Sequence, residues 1–341
     1  MILIGAFIFS SYITPKKNKE YSGYKKLLMG TVVEILIMEG DKAQFDGAAE
    51  AAFSEIKGLE KVFSSYKPDS EVSRISRRAG GAPIKTTEDV IYVVQKALQV
   101  SRLTGGAFDP TVGALAGVWG FSGEKKRVPA KKDVQKRLPL VDFRKVVVNK
   151  DKMTVKIEDK GMTLNLGGVA KGFIVKRAAE ALSVKGVSRA IIKAGGDMFL
   201  FDNRNMARKA SFVIGIKDPR NEGEILGEVY SKGGAVTTSG DYERFFIKDG
   251  KRYHHILDPS TGWPAMKSRS VTVMAEDPTI ADALSTAIFV LGPKKGLEVI
   301  ESLKGVEGVI VGADGFIHTS SGFKGRLFQG IDMEKQTRRI P

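Results

Sequence analysis

The sequence predicts an α+β fold in which mixed, largely antiparallel sheets pack against helices. Strand-like and helix-like segments both occur along the chain, and they lack the regular βαβ alternation that a parallel sheet requires. Apolar residues make up 42% of the 341 residues, which is normal for a globular core. Neither an internal repeat nor a linker divides the chain after residue 29. We therefore predict one domain over residues 29–341.

The first part of this domain is predicted to form a strand and two helices. The segment 31–38 (TVVEILIM) is rich in β-branched and aliphatic residues, as strands are. In the segment 41–66, apolar residues recur at steps of three and four, which indicates an amphipathic helix. Those residues are Phe45, Ala48, Ala52, Ile56, Leu59 and Phe63. Thr87 is predicted to cap a second helix, which ends at Leu103 before a glycine pair.

The remaining elements mix strands with helices. Strands are predicted at Val146–Ile157, Met162–Leu166, Ala190–Lys193, Phe212–Lys217 and Val271–Ala275. Helices are predicted at Val169–Ser183, Pro278–Val290 and Pro293–Leu303, the last two opened by their prolines. A terminal hairpin is predicted from Val309–Val311 and Phe316–His318, with its turn at Asp314-Gly315.

The amino-terminal segment 1–28 is predicted to be an export signal or anchor followed by a polar linker. It is apolar from Ile2 to Ile13 and polar from Pro15 onward. The apolar run is shorter than the roughly 20 residues that span a bilayer. Its length fits a signal-peptide core, but a charged start and an Ala-x-Ala site are missing. A truncated or mis-started export signal is favoured, with a signal anchor or a buried strand as alternatives.

The amino-acid composition excludes several kinds of chemical site. The chain has no cysteine, which excludes disulfides, thiolate metal sites and a thiol nucleophile. Lys and Arg number 54 against 39 Asp and Glu, a net charge of +15. These basic residues are scattered along the whole chain, and no basic helix with interleaved aromatics occurs. A general surface bias is therefore favoured over nucleic-acid binding.

Two of the three histidines lie in one short segment, 253–264 (YHHILDPSTGWP). Histidine is the side chain whose ordinary pKa allows proton exchange near neutral pH. Asp258 follows His255 by three residues, and Pro259 and Gly262 stiffen and turn the chain. The segment is either a hairpin with two polar residues at its mouth or a chemical site.

Three further segments carry candidate ligand contacts. Tyr66 follows the long helix, where an aromatic ring can stack on a flat ligand. The glycine-rich loop 104–113 carries Asp109 but lacks the standard nucleotide-binding patterns. Lys171 lies in the first turn of a predicted helix, where a positive charge opposes the helix dipole. That placement suggests a ligand role, and a solvated lysine is the alternative.

The predicted helix at Pro278–Val290 carries a candidate cation site. Asp282 and Thr286 are four residues apart and share one face. A carboxylate and a hydroxyl oxygen suit a hard cation such as Mg²⁺, although a third oxygen from another segment is required. A surface Thr–Asp pair is the alternative.

Taken together, these motifs resemble the ApbE family of FAD:protein FMN transferases. The resemblance runs from about Met29 to the end of the chain. It rests on several motifs in order, of which GGAFDPT, HHI-x-DP-x-TG and ADALST are the most telling. It implies an ApbE-like, T-fold-related architecture and transfer of the FMN half of FAD to a threonine or serine hydroxyl of a target protein. The bond formed is a phosphoester, AMP is released, and Mg²⁺ is required.

Site residues follow from the resemblance, motif by motif. The implied FAD contacts are Met29, Tyr66, Ala107, Phe108, Asp109, Asn165, Lys171, His255 and Ile256. The implied metal ligands are the Gly168 carbonyl, Asp282, Ser285 and Thr286. Lys171 would neutralise phosphate charge, His255 would be the general base, and Asp258 would orient it. His254 or an aspartate remains an alternative base.

The resemblance also implies partners and a location. The expected acceptors are FMN-bearing subunits of Na⁺-translocating quinone reductases or Rnf-type complexes. We expect a periplasmic or extracytoplasmic location, with possible membrane association through the amino terminus. The chain departs from the family at Asn165, Ser260 and Ser76, where aspartate, a basic residue and asparagine are common. An FAD pyrophosphatase and a non-catalytic flavin-binding protein remain alternatives.

Overall fold

A computed structural model describes residues 21–121, 127–205 and 211–328 and confirms the α+β prediction. The helices are α1 (Phe45–Phe63), α2 (Glu71–Arg77), α3 (Glu88–Leu103), α4 (Gly113–Trp119), α5 (Lys131–Arg137), α6 (Ala170–Val184), α7 (Pro278–Leu291) and α8 (Pro293–Glu301). The first eight strands are β1 (Ser22–Leu28), β2 (Thr31–Glu39), β3 (Ile84–Lys85), β4 (Val146–Asn149), β5 (Thr154–Ile157), β6 (Arg189–Ala194), β7 (Asp197–Asp202) and β8 (Phe212–Lys217). The others are β9 (Ile225–Ser231), β10 (Gly234–Gly240), β11 (Phe245–Lys248), β12 (Lys251–His254), β13 (Ser268–Ala275), β14 (Glu307–Gly312), β15 (Ile317–Thr319) and β16 (Gly325–Leu327).

The core of the fold is an eight-stranded antiparallel sheet in the order β1-β2-β6-β7-β10-β13-β14-β15. Strand β2 shows why the sheet is covered on both faces. Its residues Val33, Ile35 and Ile37 are fully buried in the larger core, whereas Leu36 and Met38 pack against a second cluster. Because side chains alternate along a strand, one strand serves both layers.

Helices cover one face of this sheet, and a small sheet covers the other. The apolar stripe predicted on the first helix is buried in the larger core along α1. Helices α1, α3, α6, α7 and α8 all contribute buried residues to that core. On the opposite face, the three-stranded sheet β16-β9-β8 packs Ile214, Ile216 and Val229 against Leu200 and Val236 of the large sheet.

Two smaller sheets complete the fold. Strands β3, β5 and β4 form one, and the hairpin β11-β12 forms the other. The hairpin packs Tyr253 on Trp119, with ring centroids 5.7 Å apart. Trp263, which follows the hairpin in the chain, packs on Trp119 with ring centroids 5.1 Å apart. This aromatic cluster fixes the hairpin, and β12 leads directly into the histidine segment.

The structure corrects the amino-terminal boundary. Residues 22–28, which the sequence placed in a polar linker, form edge strand β1 paired with β2. Lys25 and Lys26 interrupt the hydrophobicity pattern of this strand. Both lysines are exposed, and they pair with Glu34 and Glu50. The apolar stretch Ile2–Ile13 lies outside the described residues. No described helix is both long and apolar enough to cross a membrane.

Other boundaries also differ from prediction. The single strand predicted at Val146–Ile157 is the hairpin β4-β5, whose turn places Met153 at a φ of 51°. The strand predicted at Met162–Leu166 is wrong, because this segment makes only an isolated bridge from Thr163 to Val112. Thr87 precedes α3 without a side-chain cap, and its hydroxyl donates to Glu71 instead, at 3.2 Å. The helices α6, α7 and α8 confirm their predictions to within two residues.

Candidate active site

The site begins where the amino-terminal turn of α6 meets α7. A Cβ on Gly172 would overlap the carbonyl oxygen of Pro278, so only glycine allows the two helices this close. The Gly172 N–H donates to Oδ2 of Asp282 at 3.1 Å. This contact brings Lys171, the residue before Gly172, against the buried face of α7.

Lys171 binds two buried carboxylates. Its Nζ lies 2.6 Å from Oδ2 of Asp197 and 3.2 Å from Oδ1 of Asp282, and it also donates to the Gly167 carbonyl at 3.2 Å. Burial alone would lower the pKa of Lys171, but the two carboxylates raise it, so the ammonium stays charged. Burial raises the pKa of Asp197 to about 7, the Asp282 charge adds to the rise, and Lys171 limits it.

A row of hydroxyl groups lies beside this charged cluster. Ser239 Oγ is 2.9 Å from Ser285 Oγ and 3.3 Å from Thr286 Oγ1. A Cβ on Gly168 would lie only 3.0 Å from Thr286 Oγ1, which places the Gly168 backbone close to the same hydroxyl. The residues predicted as metal ligands, Gly168, Asp282, Ser285 and Thr286, therefore meet in one place.

The donor set fits a hard cation. It offers carboxylate, hydroxyl and carbonyl oxygens, the ligands that Mg²⁺ accepts. The carboxylates of Asp197 and Asp282 face the one ammonium of Lys171. With its pKa raised to about 7, Asp197 is partly protonated at neutral pH, and a cation bound there would replace that proton. No group of three or more His, Cys, Asp or Glu residues suited to a metal occurs in the described part of the chain. Ligands beyond these oxygens would come from water or substrate.

His255 follows the last residue of β12 and lies at the edge of this cluster. Its N–H donates to the Arg244 carbonyl at 3.0 Å, while its side-chain Nδ1 is buried without a hydrogen-bond partner. Burial, then the positive charges of Arg244, His254 and Lys171, lower the pKa of His255 to about 3. The imidazole is therefore neutral at pH 7 and able to accept a proton.

The other members of the histidine segment make local contacts. Asp258 Oδ1 accepts from the Ser260 N–H at 2.9 Å and its hydroxyl at 2.6 Å, and none of its described hydrogen bonds reaches His255. Asp258 thus closes its own turn, and its orienting role stays a prediction. His254 is buried, its Nε2 donates to the Ala265 carbonyl at 2.8 Å, and its Nδ1 is buried without a hydrogen-bond partner, so its role as an alternative base also stays a prediction.

The glycine-rich loop reaches the site through Phe108, whose ring lies 3.3 Å from a Cβ built on Gly168. Its neighbour Asp109 uses both carboxylate oxygens within the protein, accepting from Thr111 (N–H 2.8 Å, hydroxyl 2.6 Å) and from the Phe143 N–H (2.9 Å). Asp109 therefore holds the loop in shape. Its contact with FAD stays a prediction.

The remaining predicted FAD contacts lie on several elements of the fold. The N–H of Met29, in the β1-β2 turn, donates to Glu60 at 3.1 Å. Tyr66 is 61% exposed, which leaves its ring free to stack on a ligand. Asn165 accepts from the Gly167 N–H at 2.9 Å and so shapes the turn before α6. Ile256 is buried next to His255, and Ala107 lies at the edge of the core beside Phe108.

Sequence reasoning singled out the segments of Asp197 and Ser239 without giving either residue a role, and it missed Arg244. Asp197 ends the segment AGGD, and Ser239 lies in TTSGDY, two segments that also read as plain turns. The glycine pair directly before Asp197 was the sequence signal that could have identified this residue. A Cβ on Gly196 would lie 2.5 Å from the Thr238 carbonyl, so this glycine brings the two turns together.

Solved structures with this fold are flavin transferases or their relatives. The ApbE protein of Thermotoga maritima matches with a TM-score of 0.81 and 37% identity, over 89% of this chain and 97% of that chain. The flavin transferase ApbE of Vibrio cholerae matches with a TM-score of 0.75 and 26% identity, over 89% of this chain and 97% of that chain. The fold and the site thus define an enzyme.

Curated relatives identify the family. The FAD:protein FMN transferase of Treponema pallidum is 32% identical over 91% of this chain and 89% of its own length. The enzyme of the same name from Klebsiella pneumoniae is 32% identical over 86% of this chain and 90% of its own length. The ApbE family model matches residues 29–310. The chain belongs to the ApbE family.

Proposed function

We propose that this protein is a Mg²⁺-dependent FAD:protein FMN transferase. It moves the FMN half of FAD to a threonine or serine hydroxyl of an acceptor protein and releases AMP. The observation that carries the proposal is the ion cluster of Lys171 with Asp197 and Asp282, which lies directly beside the Ser239, Ser285 and Thr286 hydroxyls. Such a cluster suits phosphoryl chemistry, where positioning and charge neutralisation dominate.

The reaction is a balanced substitution at the FMN phosphorus. The acceptor oxygen bonds to that phosphorus, the bridging P–O bond of FAD breaks, and AMP departs with the electron pair. Asp282, Ser285, Thr286 and the Gly168 carbonyl would hold Mg²⁺, which would supply positive charge for the pyrophosphate. Lys171 holds the carboxylates of Asp197 and Asp282 in place at this site.

His255 takes the proton from the acceptor hydroxyl in this proposal. A base whose pKa is about 3 is weak in the free protein. Part of that depression comes from the positive charges of Arg244 and Lys171. The phosphates of bound FAD offset those charges, so substrate binding moves the pKa of His255 upward and makes it a better base.

The acceptor and the location belong to the same proposal. The apolar stretch Ile2–Ile13 resembles an export signal core and supports work on the extracytoplasmic face of a membrane. Acceptors there would be FMN-bearing subunits of Na⁺-translocating quinone reductases or Rnf-type complexes.

The test is a labelling assay with FAD, Mg²⁺ and such an acceptor subunit. Covalent flavin is detected by in-gel fluorescence after denaturation, and AMP is quantified in parallel. We expect one AMP for each labelled acceptor, and loss of labelling with EDTA or with Asp282→Asn. Asp151→Asn, an exposed turn residue, is the matched control. No labelling of any acceptor subunit by a protein that binds FAD would contradict the proposal.

FAD hydrolysis to FMN and AMP is a second candidate, because a neutral His255 can deprotonate water as well as a hydroxyl. AMP release that is unchanged by adding acceptor would favour hydrolysis. A non-catalytic flavin carrier is the third, and recovery of intact FAD after incubation with Mg²⁺ would favour it.

A further inference from the structure

Two arginines beside the segment 240–244, Arg220 and Arg252, share the carboxylate of Asp241. Arg220 binds Asp241 through two bonds of 2.8 and 2.6 Å, and Arg252 approaches the same carboxylate at 3.3 Å. The Asp241 N–H donates to the Arg269 carbonyl at 3.1 Å, which ties the segment to the large sheet. The segment that carries Arg244 is therefore anchored at its start.

Arg244 differs from these two arginines. It is exposed, and no carboxylate of the described residues forms an ion pair with it. Its neighbour Glu243 is also exposed, and the charge of Glu243 acts on Asp197. The Arg244 guanidinium thus carries a positive charge that no described carboxylate pairs with, on a segment that borders the site.

The Arg244 side chain lies over the turn at Met29, a residue that the family resemblance assigns to FAD contact. One guanidinium nitrogen of Arg244 lies 3.4 Å from the position of a Cβ on Gly30, so the group extends over the Met29–Gly30 turn. That turn has two consecutive residues in the left-handed region, at φ of 54° and 69°. The Arg244 carbonyl accepts from the His255 N–H at 3.0 Å, which places the residue beside the proposed base.

We propose that Arg244 and the Met29–Gly30 turn form a phosphate subsite that binds one phosphate of the flavin nucleotide. The inference rests on the proposed function, because it assigns a binding residue to the substrate of that reaction. Lys171 is occupied by Asp197 and Asp282, so it has little charge left for a second phosphate. A guanidinium binds phosphate oxygens with two parallel hydrogen bonds. Among the described residues at this edge, Arg244 is a guanidinium group without a carboxylate partner.

A purely structural role would use a different part of the residue. The contact to His255 is made by the Arg244 backbone carbonyl, which every side-chain substitution retains. Shortening the side chain therefore removes the proposed phosphate contact without removing the bond that positions His255.

The experiment measures ligand affinity without Mg²⁺ or acceptor, by flavin fluorescence and by calorimetry for AMP. Arg244→Gln is compared with Lys248→Gln, an exposed cation on the same hairpin. We expect Arg244→Gln to weaken FAD binding by roughly 10- to 100-fold, the loss of a charged hydrogen-bond pair. Riboflavin, which has no phosphate, should bind both variants equally. FMN and AMP then assign the contacted phosphate, because only one of them should lose affinity.

Two outcomes would overturn the subsite. One is FAD affinity in Arg244→Gln equal to that of Lys248→Gln, and the other is an equal loss for riboflavin and FAD. Failure of the transfer reaction is a different result from these two outcomes and does not overturn the subsite. If the wild-type protein binds FAD through Arg244 but labels no acceptor, the subsite stands and the proposed transferase function fails.

Discussion

The Lys171 ammonium lies 2.6 Å from the carboxylate of Asp197, which is almost fully buried. Lys171 comes from the first turn of α6, whereas Asp197 begins β7. The pair therefore joins a helix to the sheet beneath it. A buried ion pair that loses one partner leaves an uncompensated charge, which is the basis of the first prediction.

Replacing Lys171 by Met should destabilise the protein by about 3–5 kcal/mol at pH 8. The loss should be smaller at pH 6. The pKa of Asp197 is already raised to about 7, so below that pH the native state takes up a proton that the unfolded state does not. Urea unfolding at the two pH values measures the difference. Lys185→Met, an exposed residue at the end of α6, is the control. Equal losses at both pH values would contradict this account.

Gly172→Ala should prevent normal docking of α6 on α7. The new Cβ would overlap the Pro278 backbone, which cannot move as a flexible side chain can. We expect a loss of more than about 3 kcal/mol, at or beyond the upper end for overpacking. Gly58→Ala in α1 is the matched control, since its Cβ would meet nothing within 4 Å. That control should gain about 0.5–1 kcal/mol from helix propensity. Thermal unfolding of both variants gives the comparison.

Removing His255 should make the protein less sensitive to acid. The pKa of His255 is lowered to about 3 from an ordinary value of 6.5, so the unfolded chain binds a proton that the native state rejects. Stability from this group is present above pH 6.5 and is lost as pH falls toward 3. Between pH 7.5 and pH 5 the wild type should lose up to about 2 kcal/mol more than His255→Gln. Identical pH profiles in urea unfolding would rule this out.

Asp258→Asn should leave the chemical step nearly unchanged. Asp258 closes a turn with Ser260 and makes no described contact with His255. We expect a stability change of about 1 kcal/mol or less, as for one hydrogen bond near the surface. The AMP-release rate under single-turnover conditions is the measurement. A hundredfold loss of that rate in a folded variant would support the orienting role.

The sequence predicted best the elements whose pattern is local. α1 carries an apolar stripe at helical spacing, and α7 opens with Pro278, so both were identified without knowledge of their neighbours. Strand β1 was not, because its lysines are matched by Glu34 and Glu50 from other elements. The hairpin β4-β5 was read as one strand, because its turn contains neither glycine nor proline.

The residues of the site likewise differ in whether a local sequence pattern could predict them. The oxygen ligands of α7 share one helix face, so spacing alone suggested Asp282 and Thr286 as partners. The role of Asp197 could not be predicted from the sequence, because it depends on a contact with Lys171, which lies on another element. For Asp258, the contact expected from the sequence differs from the contact in the structure. Closeness in sequence to His255 suggested a contact, but the backbone turn aims the carboxylate at Ser260.

The docking of α6 on α7 has a consequence for biosynthesis. Lys171 and Asp282 are separated by 111 positions in the chain, so the amino-terminal part of the pair is made long before its partner. During translation the lysine has only Asp197 available, and the hydroxyl row of α7 does not yet exist. The nascent chain is therefore expected to gain its complete ligand site only when α7 has left the ribosome, which makes nucleotide binding a late event in the maturation of this enzyme.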